Sequence, residues 1–238
     1  MFDWKCRTRL SLGAYVCLIC HVGFKTCELR AELSAEKAQT EVIEAAASDI
    51  DPDSKIAPES SFKAIFDGQQ LTGWSGNQSL FRVEKASIVG GSMKHKIPHN
   101  EFLTYHQIFE DFELRLEAKL VGEGGNAGIQ IRSRRATEQD AEDASKKIPK
   151  HEMVGYQVDM GKAWKQIWWG KLYDESRRRK VLAGPKDDQL LESLVKWGEW
   201  NDYRILCEGS RIRIWLNGTM TVDYVEPDQE IAKQGIIG

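Results

Sequence analysis

Beyond residue 27 the chain has a single cysteine, Cys207, so no disulfide within that part of the molecule can staple it. The folded region must be held by its core, and Cys207, in an alternating run, reads as a small buried hydrophobe. No apolar run reaches the roughly 20 residues of a membrane-spanning helix, and the mean hydropathy of −0.47 excludes a polytopic membrane protein. Charge of either sign is not in excess. With 33 Lys+Arg against 36 Asp+Glu, the net charge of −3 gives no basic footprint for a nucleic acid. A Gly-rich phosphate loop, a Gly-x-Ser-x-Gly elbow and a Cys/His zinc spacing are all missing, which excludes the usual phosphate, serine-nucleophile and zinc motifs. His95, His99, His106 and His151 are scattered; His95 and His99 have no recognisable metal partner and read as surface residues. Tryptophan, by contrast, is plentiful. Eight of them suit either a large core or a flat face on which sugars stack.

The N-terminal part divides in two. Lys5, Arg7 and Arg9 precede an apolar stretch from Leu10 to Phe24, which predicts a signal segment over residues 1–27 and an extracytoplasmic (periplasmic or secreted) destination. Within it, Cys17-Leu18-Ile19-Cys20-His21 spells the haem c attachment pattern. It lies inside the hydrophobic run with no haem-sized domain around it, so haem is not expected. Residues 28–61 are acidic and Ala-rich, and Asp51-Pro52-Asp53 and Ala57-Pro58 break any helix. This composition predicts a solvated tether.

From residue 62 the pattern has period two. Leu114, Leu116 and Ala118 alternate with Arg115, Glu117 and Lys119; Ala127, Ile129 and Ile131 with Gly128, Gln130 and Arg132; Tyr156 and Val158 with Gln157 and Asp159. Tyr203, Ile205 and Cys207, then Ile212, Ile214 and Leu216, behave alike. Each predicts a strand with one apolar and one polar face. Glu208-Gly209-Ser210 and Asn217-Gly218 predict hairpin turns, the latter of type I′. Ser133 to His151 is a charged insertion with room for a short helix, and no long amphipathic helix follows residue 62. The expected class is all-β, a sandwich or a barrel.

Alternation places Asn126, Gln130 and Arg132 on one face of a strand, and Gln157 and Asp159 on one face of another. If these strands are neighbours, amides, a guanidinium and a carboxylate converge as a sugar requires. An ordinary solvated sheet face has the same pattern. The segment from Trp164 to Lys180 adds three Trp and a Tyr, two acids and four consecutive bases. Its aromatics suit sugar stacking, while Asp174, Glu175, Arg177 and Arg178 suit hydroxyls or a metal.

Seven stretches follow one family's order. Phe62-Lys-Ala-Ile-Phe-Asp-Gly-Gln-Gln-Leu-Thr-Gly-Trp74 is followed by Asp111-Phe-Glu-Leu-Arg115, then Gly125-Asn-Ala-Gly-Ile129 with Arg132, and Gly155-Tyr-Gln-Val-Asp159. Trp169-Gly-Lys-Leu-Tyr-Asp-Glu-Ser-Arg177, Glu199-Trp-Asn-Asp-Tyr-Arg204 and Trp215-Leu-Asn-Gly218 complete the series. The region 62–238 thus resembles the 3-keto-disaccharide hydrolase domain, also described as a 3-keto-glucoside lyase/hydratase. The resemblance implies a concanavalin A-like jelly roll and cleavage of 3-keto disaccharides or glycosides by C2 proton abstraction, β-elimination and hydration. It implies Asp159 and Glu175 as acid/base or metal-binding carboxylates, the cofactor being a divalent metal ion, and Arg132 as the oxyanion partner. Asn126, Gln130, Gln157, Trp169, Tyr173, Asp174, Arg177 and Arg178 become the expected sugar contacts. A non-catalytic, lectin-like carbohydrate-binding module on the same fold is the alternative, because fold does not fix activity. The chain stops at Gly235-Ile-Ile-Gly238, within an apolar run where the family continues, so the sandwich is expected to lack its last strand.

Overall fold

The computed structural model describes Phe2–Trp4 and residues 61–122, 125–141 and 147–238. The remainder of the expected signal segment and nearly all of the tether lie outside the described residues. The chain divides into one unit of Met1–Arg9 and Lys63–Gly238 and another of Leu10–Phe62. The first unit holds all the strands among the described residues.

Its strands run in order β1 (Phe2–Trp4), β2 (Trp74–Ser75), β3 (Phe81–Glu84), β4 (Ser87–Gly90) and β5 (Thr104–Tyr105). Then come β6 (Phe112–Leu120), β7 (Asn126–Arg135), β8 (Met153–Ala163), β9 (Gln166–Ile167) and β10 (Leu172–Glu175). Last are β11 (Val181–Ala183), β12 (Asn201–Glu208), β13 (Arg211–Leu216) and β14 (Thr219–Val225). The one α-helix among the described residues, α1 (Asp188–Leu194), is capped by the Asp187 carboxylate, which accepts from the Gln189 N–H.

Two antiparallel sheets carry the architecture, a jelly-roll sandwich. One has seven strands in the order β14-β13-β12-β6-β1-β4-β3. The other has the order β11-β10-β8-β7, with β9 paired to β8. β2 and β5 form a small third sheet. The short β1 sits between β4 and β6, with Phe2 opposite both Gly90 and Leu120. At the other end of the chain, Ile236 bridges Ser133, and the Gly238 carbonyl accepts from the Gln130 N–H at 2.7 Å.

Alternation determines what fills the space between the sheets. Ile129, Ile131, Tyr156, Val158, Met160 and Leu172 face inward from the smaller sheet; Leu114, Leu116, Ala118, Tyr203, Ile205, Ile212 and Ile214 do so from the larger. Cys207 is buried among them, as the sequence predicts. Each fully buried Ile or Leu contributes about 1.5–3 kcal/mol, so this layer sustains the fold without disulfides. The turns follow their residues: Asn217 and Gly218 both take positive φ (49° and 85°) between β13 and β14. The charged insertion after β7 forms only one 3₁₀ turn, Glu138–Asp140, tied by the Arg134–Asp140 ion pair, among its described residues.

Candidate active site

The same alternation that fills the core with one face of the smaller sheet leaves the other face to polar groups. Register brings Gln130 of β7 opposite Gln157 of β8, and Gln157 opposite Tyr173 of β10. Asp159 lies opposite Gly128, and Glu175 opposite Gly155. Asn126 and Gln130, Gln157 and Asp159, and Tyr173 and Glu175 therefore share one face, as rigid period-two geometry requires.

A directed chain of hydrogen bonds crosses this face. Ser133 Oγ donates to Gln130 Oε1 at 2.7 Å, Gln130 Nε2 to Gln157 Oε1 at 2.9 Å, and Gln157 Nε2 to Asp159 Oδ1 at 2.7 Å. Glycine at 128 is required for this arrangement. A Cβ there would lie 2.3 Å from Gln157 Cγ, so any side chain would displace the amide.

The two carboxylates differ in setting. Asp159 is 3% exposed, and burial pushes its carboxyl up to about 8 despite the Gln157 hydrogen bond, with Glu175 adding repulsion. Glu175 is only partly buried; burial, then the charge of Glu152, raises its pKa. Because the native state holds the Asp159 proton more tightly than the unfolded chain does, this group makes stability fall as pH rises from its ordinary 3.8 toward about 8. Asp159→Asn is therefore expected to flatten the decline in Tm across that window. Parallel melting curves between pH 4 and 9 check it; an unchanged slope refutes it.

A cavity of about 670 Å³ lies against this face, bordered by Asn126, Gly128, Gln157 and Glu175. The segment between β4 and β5 adds Lys94, His95, Lys96, His99 and Asn100 to its lining. Leu114, Leu116 and Ile129 supply apolar wall. Asn100 Nδ2 pins this segment to the carboxylates, lying 3.3 Å from Glu175 Oε1 and 3.4 Å from Glu152 Oε1. Glu101 adds a buried oxygen, Oε2, that lacks a hydrogen-bond partner. His95 and His99, read from sequence as surface residues, are exposed and also border the cavity. Their signal was the density of titratable side chains over Lys94–Asn100 in a stretch without alternation.

Several expected site residues lie elsewhere. Arg132 does not share the face of Gln130. The β7–β8 register shifts between Ile131 and Arg134, and Arg132 takes a φ of 46°. This bulge turns its guanidinium to the Glu110 and Gly209 carbonyls and to Asp111 Oδ1, at 2.8, 2.6 and 2.9 Å. With its side chain 1% exposed, Arg132 ties β7 to the β12–β13 turn and is not an oxyanion partner here. Trp169 is no sugar contact: it is 2% exposed and stacks on Tyr203, ring centroids 6.0 Å apart. Asp174 points to the opposite face from Tyr173 and Glu175. It is fully buried, accepts from Arg177 Nε at 2.8 Å and pairs with Arg178, which also binds Glu226. Arg177 further lies over the Tyr156 ring, and Tyr156 donates to Glu226. Asp174, Arg177 and Arg178 form a structural ion-pair network.

The expected metal pair also fails on geometry. Asp159 is turned to Gln157, and among the described residues no three His, Cys, Asp or Glu side chains converge to hold an ion. The residues present do not fit a divalent cation.

A model of the 3-keto-alpha-glucoside-1,2-lyase-like domain matches residues 61–238. No curated relative matches the chain. Among solved structures, carbohydrate-binding module CBM66 from Bacillus subtilis is 16% identical, covering 69% of this chain and 84% of its own, with a TM-score of 0.47. Two proteins of Parabacteroides distasonis, whose names carry a provisional glycosyl hydrolase assignment, are 16% and 18% identical. Each covers 74% of this chain, and 84% and 88% of its own, with TM-scores of 0.46.

Proposed function

The chain belongs to the 3-keto-alpha-glucoside-1,2-lyase-like domain family, and from that premise we propose that it cleaves glycosides already oxidised at C3, with Glu175 as the general base. The observation that carries this reading is the position of Glu175. It is a carboxylate of raised basicity, partly open to a cavity that Asn100, Asn126 and Gln157 also border.

The chemistry follows from the substrate. A C3 ketone acidifies the C2 hydrogen. Glu175 takes that proton, and the electron pair of the C2–H bond forms the enolate. The pair then expels the oxygen at C1, which takes up a proton, leaving an enone. Water adds back at C1 and C2 regains a proton, restoring the 3-keto sugar. Lys94 and Lys96 border the same cavity, and a cation there suits the developing enolate oxygen. Asn126 and Gln157 offer hydroxyl contacts, and Asp159 positions Gln157 from behind. No paired carboxylates of the ordinary glycosidase kind are needed.

A second reading, a non-catalytic carbohydrate-binding module, is favoured by the exposed Trp164. The basic head and apolar run of the N-terminal segment support an extracytoplasmic setting for either.

The deciding experiment incubates the full chain with methyl 3-keto-α-glucoside in D₂O, with and without EDTA. The expected result is deuterium entering C2 and release of methanol in both arms. Binding without exchange or release overturns the enzyme reading in favour of the module. Loss of turnover in EDTA alone overturns the metal-free assignment of Glu175.

A further inference from the structure

Glu152, the residue before β8, has no part in the proposed reaction. It is 6% exposed and does not line the cavity, and its contacts are hydrogen-bond donors rather than a cation among the described residues. Its Oε1 meets three of them: the Met153 N–H at 3.1 Å, Ser176 Oγ at 3.3 Å and Asn100 Nδ2 at 3.4 Å. Glu175 Oε1 meets two of the same donors, Ser176 Oγ at 3.3 Å and Asn100 Nδ2 at 3.3 Å. Four atoms therefore close a ring: Asn100 Nδ2, Glu175 Oε1, Ser176 Oγ and Glu152 Oε1.

Hydrogens can be counted round this ring. The Asn100 amide has two N–H groups, one for each carboxylate, whereas the Ser176 hydroxyl has a single hydrogen for two. Three hydrogens serve four contacts. With both carboxylates ionised, one contact to Ser176 sets lone pair against lone pair, and two like charges share the ring. One added proton completes it: a carboxyl O–H donates to Ser176 Oγ, while Ser176 donates to the other carboxylate. The proton taken from C2 is such a proton.

The backbone at Ser176 points the same way. Ser176 is 9% exposed and takes a φ of 52°, a left-handed conformation that glycine adopts more easily. A buried hydroxyl is thus kept where the chain alone would favour no side chain at all.

Resting on the keto-glycoside reading, we propose that Glu152, reached through Ser176, is the store for the proton that Glu175 removes from C2. Glu175 takes that proton on Oε1 and donates it to Ser176 Oγ, and Ser176 releases its own hydrogen to Glu152 Oε1. Glu175 is again a carboxylate, Ser176 is unchanged, and Glu152 holds one proton away from the cavity. The reverse shift returns a proton through Glu175 to C2 when water adds at C1. Glu152 touches no substrate atom and acts through Glu175.

The test follows methyl 3-keto-α-glucoside deuterated at C2, turned over in H₂O by the full chain and by Glu152→Gln and Ser176→Gly. Samples are quenched early with borohydride, which fixes the label, and C2 deuterium in the released sugar is read by mass spectrometry. In the wild type part of the label is expected to return to C2, the rest exchanging with solvent. Both variants should abolish that return and lower kcat about tenfold with KM unchanged, the pattern of a lost proton-transfer aid. Ser176→Gly suits the backbone, so its Tm should hold. A merely structural Glu152 would lower Tm in Glu152→Gln and leave the label return as it was. Turnover in the wild type with no label returned, or return and kcat unchanged in either variant, overturns the store and leaves the enzyme reading standing. A wild type that neither releases methanol nor exchanges C2 overturns both.

Discussion

Glu175→Gln should lower kcat on a 3-keto-glycoside by about a hundredfold to ten-thousandfold, the range supplied by a positioned general base. The amide keeps the size and the Asn100 contact but cannot accept the C2 proton. Tm should not fall, because the side chain packs little core and the neutral amide escapes the burial and the Glu152 charge that disfavour the carboxylate. The neighbouring Asp174→Asn is expected to behave oppositely. Asp174 is fully buried and holds two guanidinium groups, so removing its charge weakens the fold while leaving the polar face intact. Initial rates and melting curves on the two variants check the pair. Comparable loss of rate without loss of Tm in both would place the chemistry on the wrong side of the sheet.

Trp169→Ala carries the largest expected effect on stability, about 3–5 kcal/mol, as for other buried aromatics cut to Ala. The ring is 2% exposed, lies nearly parallel to Tyr203 and fills the layer between the sheets. Since domains hold only about 5–15 kcal/mol in total, the variant should unfold at a much lower urea midpoint. Trp168→Ala, one residue earlier and on the other face, should shift that midpoint far less. Equal shifts would mean that the two rings do not occupy opposite sides of the strand.

These contrasts show which parts of the molecule were legible in the sequence. Where an apolar and a polar residue alternate without interruption, as in β6 and over Tyr156–Met160 of β8, the face of every side chain follows from parity. Parity puts Gln157 and Asp159 on one face, and they lie there. Arg132 departs from parity because a bulge changes parity without changing composition: up to Arg132 the run Ile129-Gln130-Ile131-Arg132 alternates unbroken. The trace it leaves is Ser133, a polar residue where the inward series Ile129, Ile131 should continue. Proximity in sequence groups Trp169 with its aromatic neighbours, yet adjacent strand residues cannot share a face. The wall of the cavity from Lys94 to Asn100 has no periodicity, so nothing local could tell that it folds against Glu175; only the tertiary structure brings them together.

The hydrogen bonds from Ser133 through Gln130 and Gln157 to Asp159 all run in one direction. Each amide presents its carbonyl to the donor behind it and its NH₂ to the acceptor ahead. Neither glutamine can reverse alone without setting two donors or two acceptors face to face. The pair therefore behaves as one binary element, whose orientation is biased from the carboxyl end, since a hydroxyl can donate or accept. At one end stands a hydroxyl whose single proton is shared between Gln130 and the Ile131 carbonyl; at the other, a carboxyl that changes protonation near neutral pH. An ionised Asp159 accepts more strongly and locks the present polarity, while a protonated one holds it less firmly. What a ligand in the cavity meets at Gln157 is thus set in part by a proton it never touches.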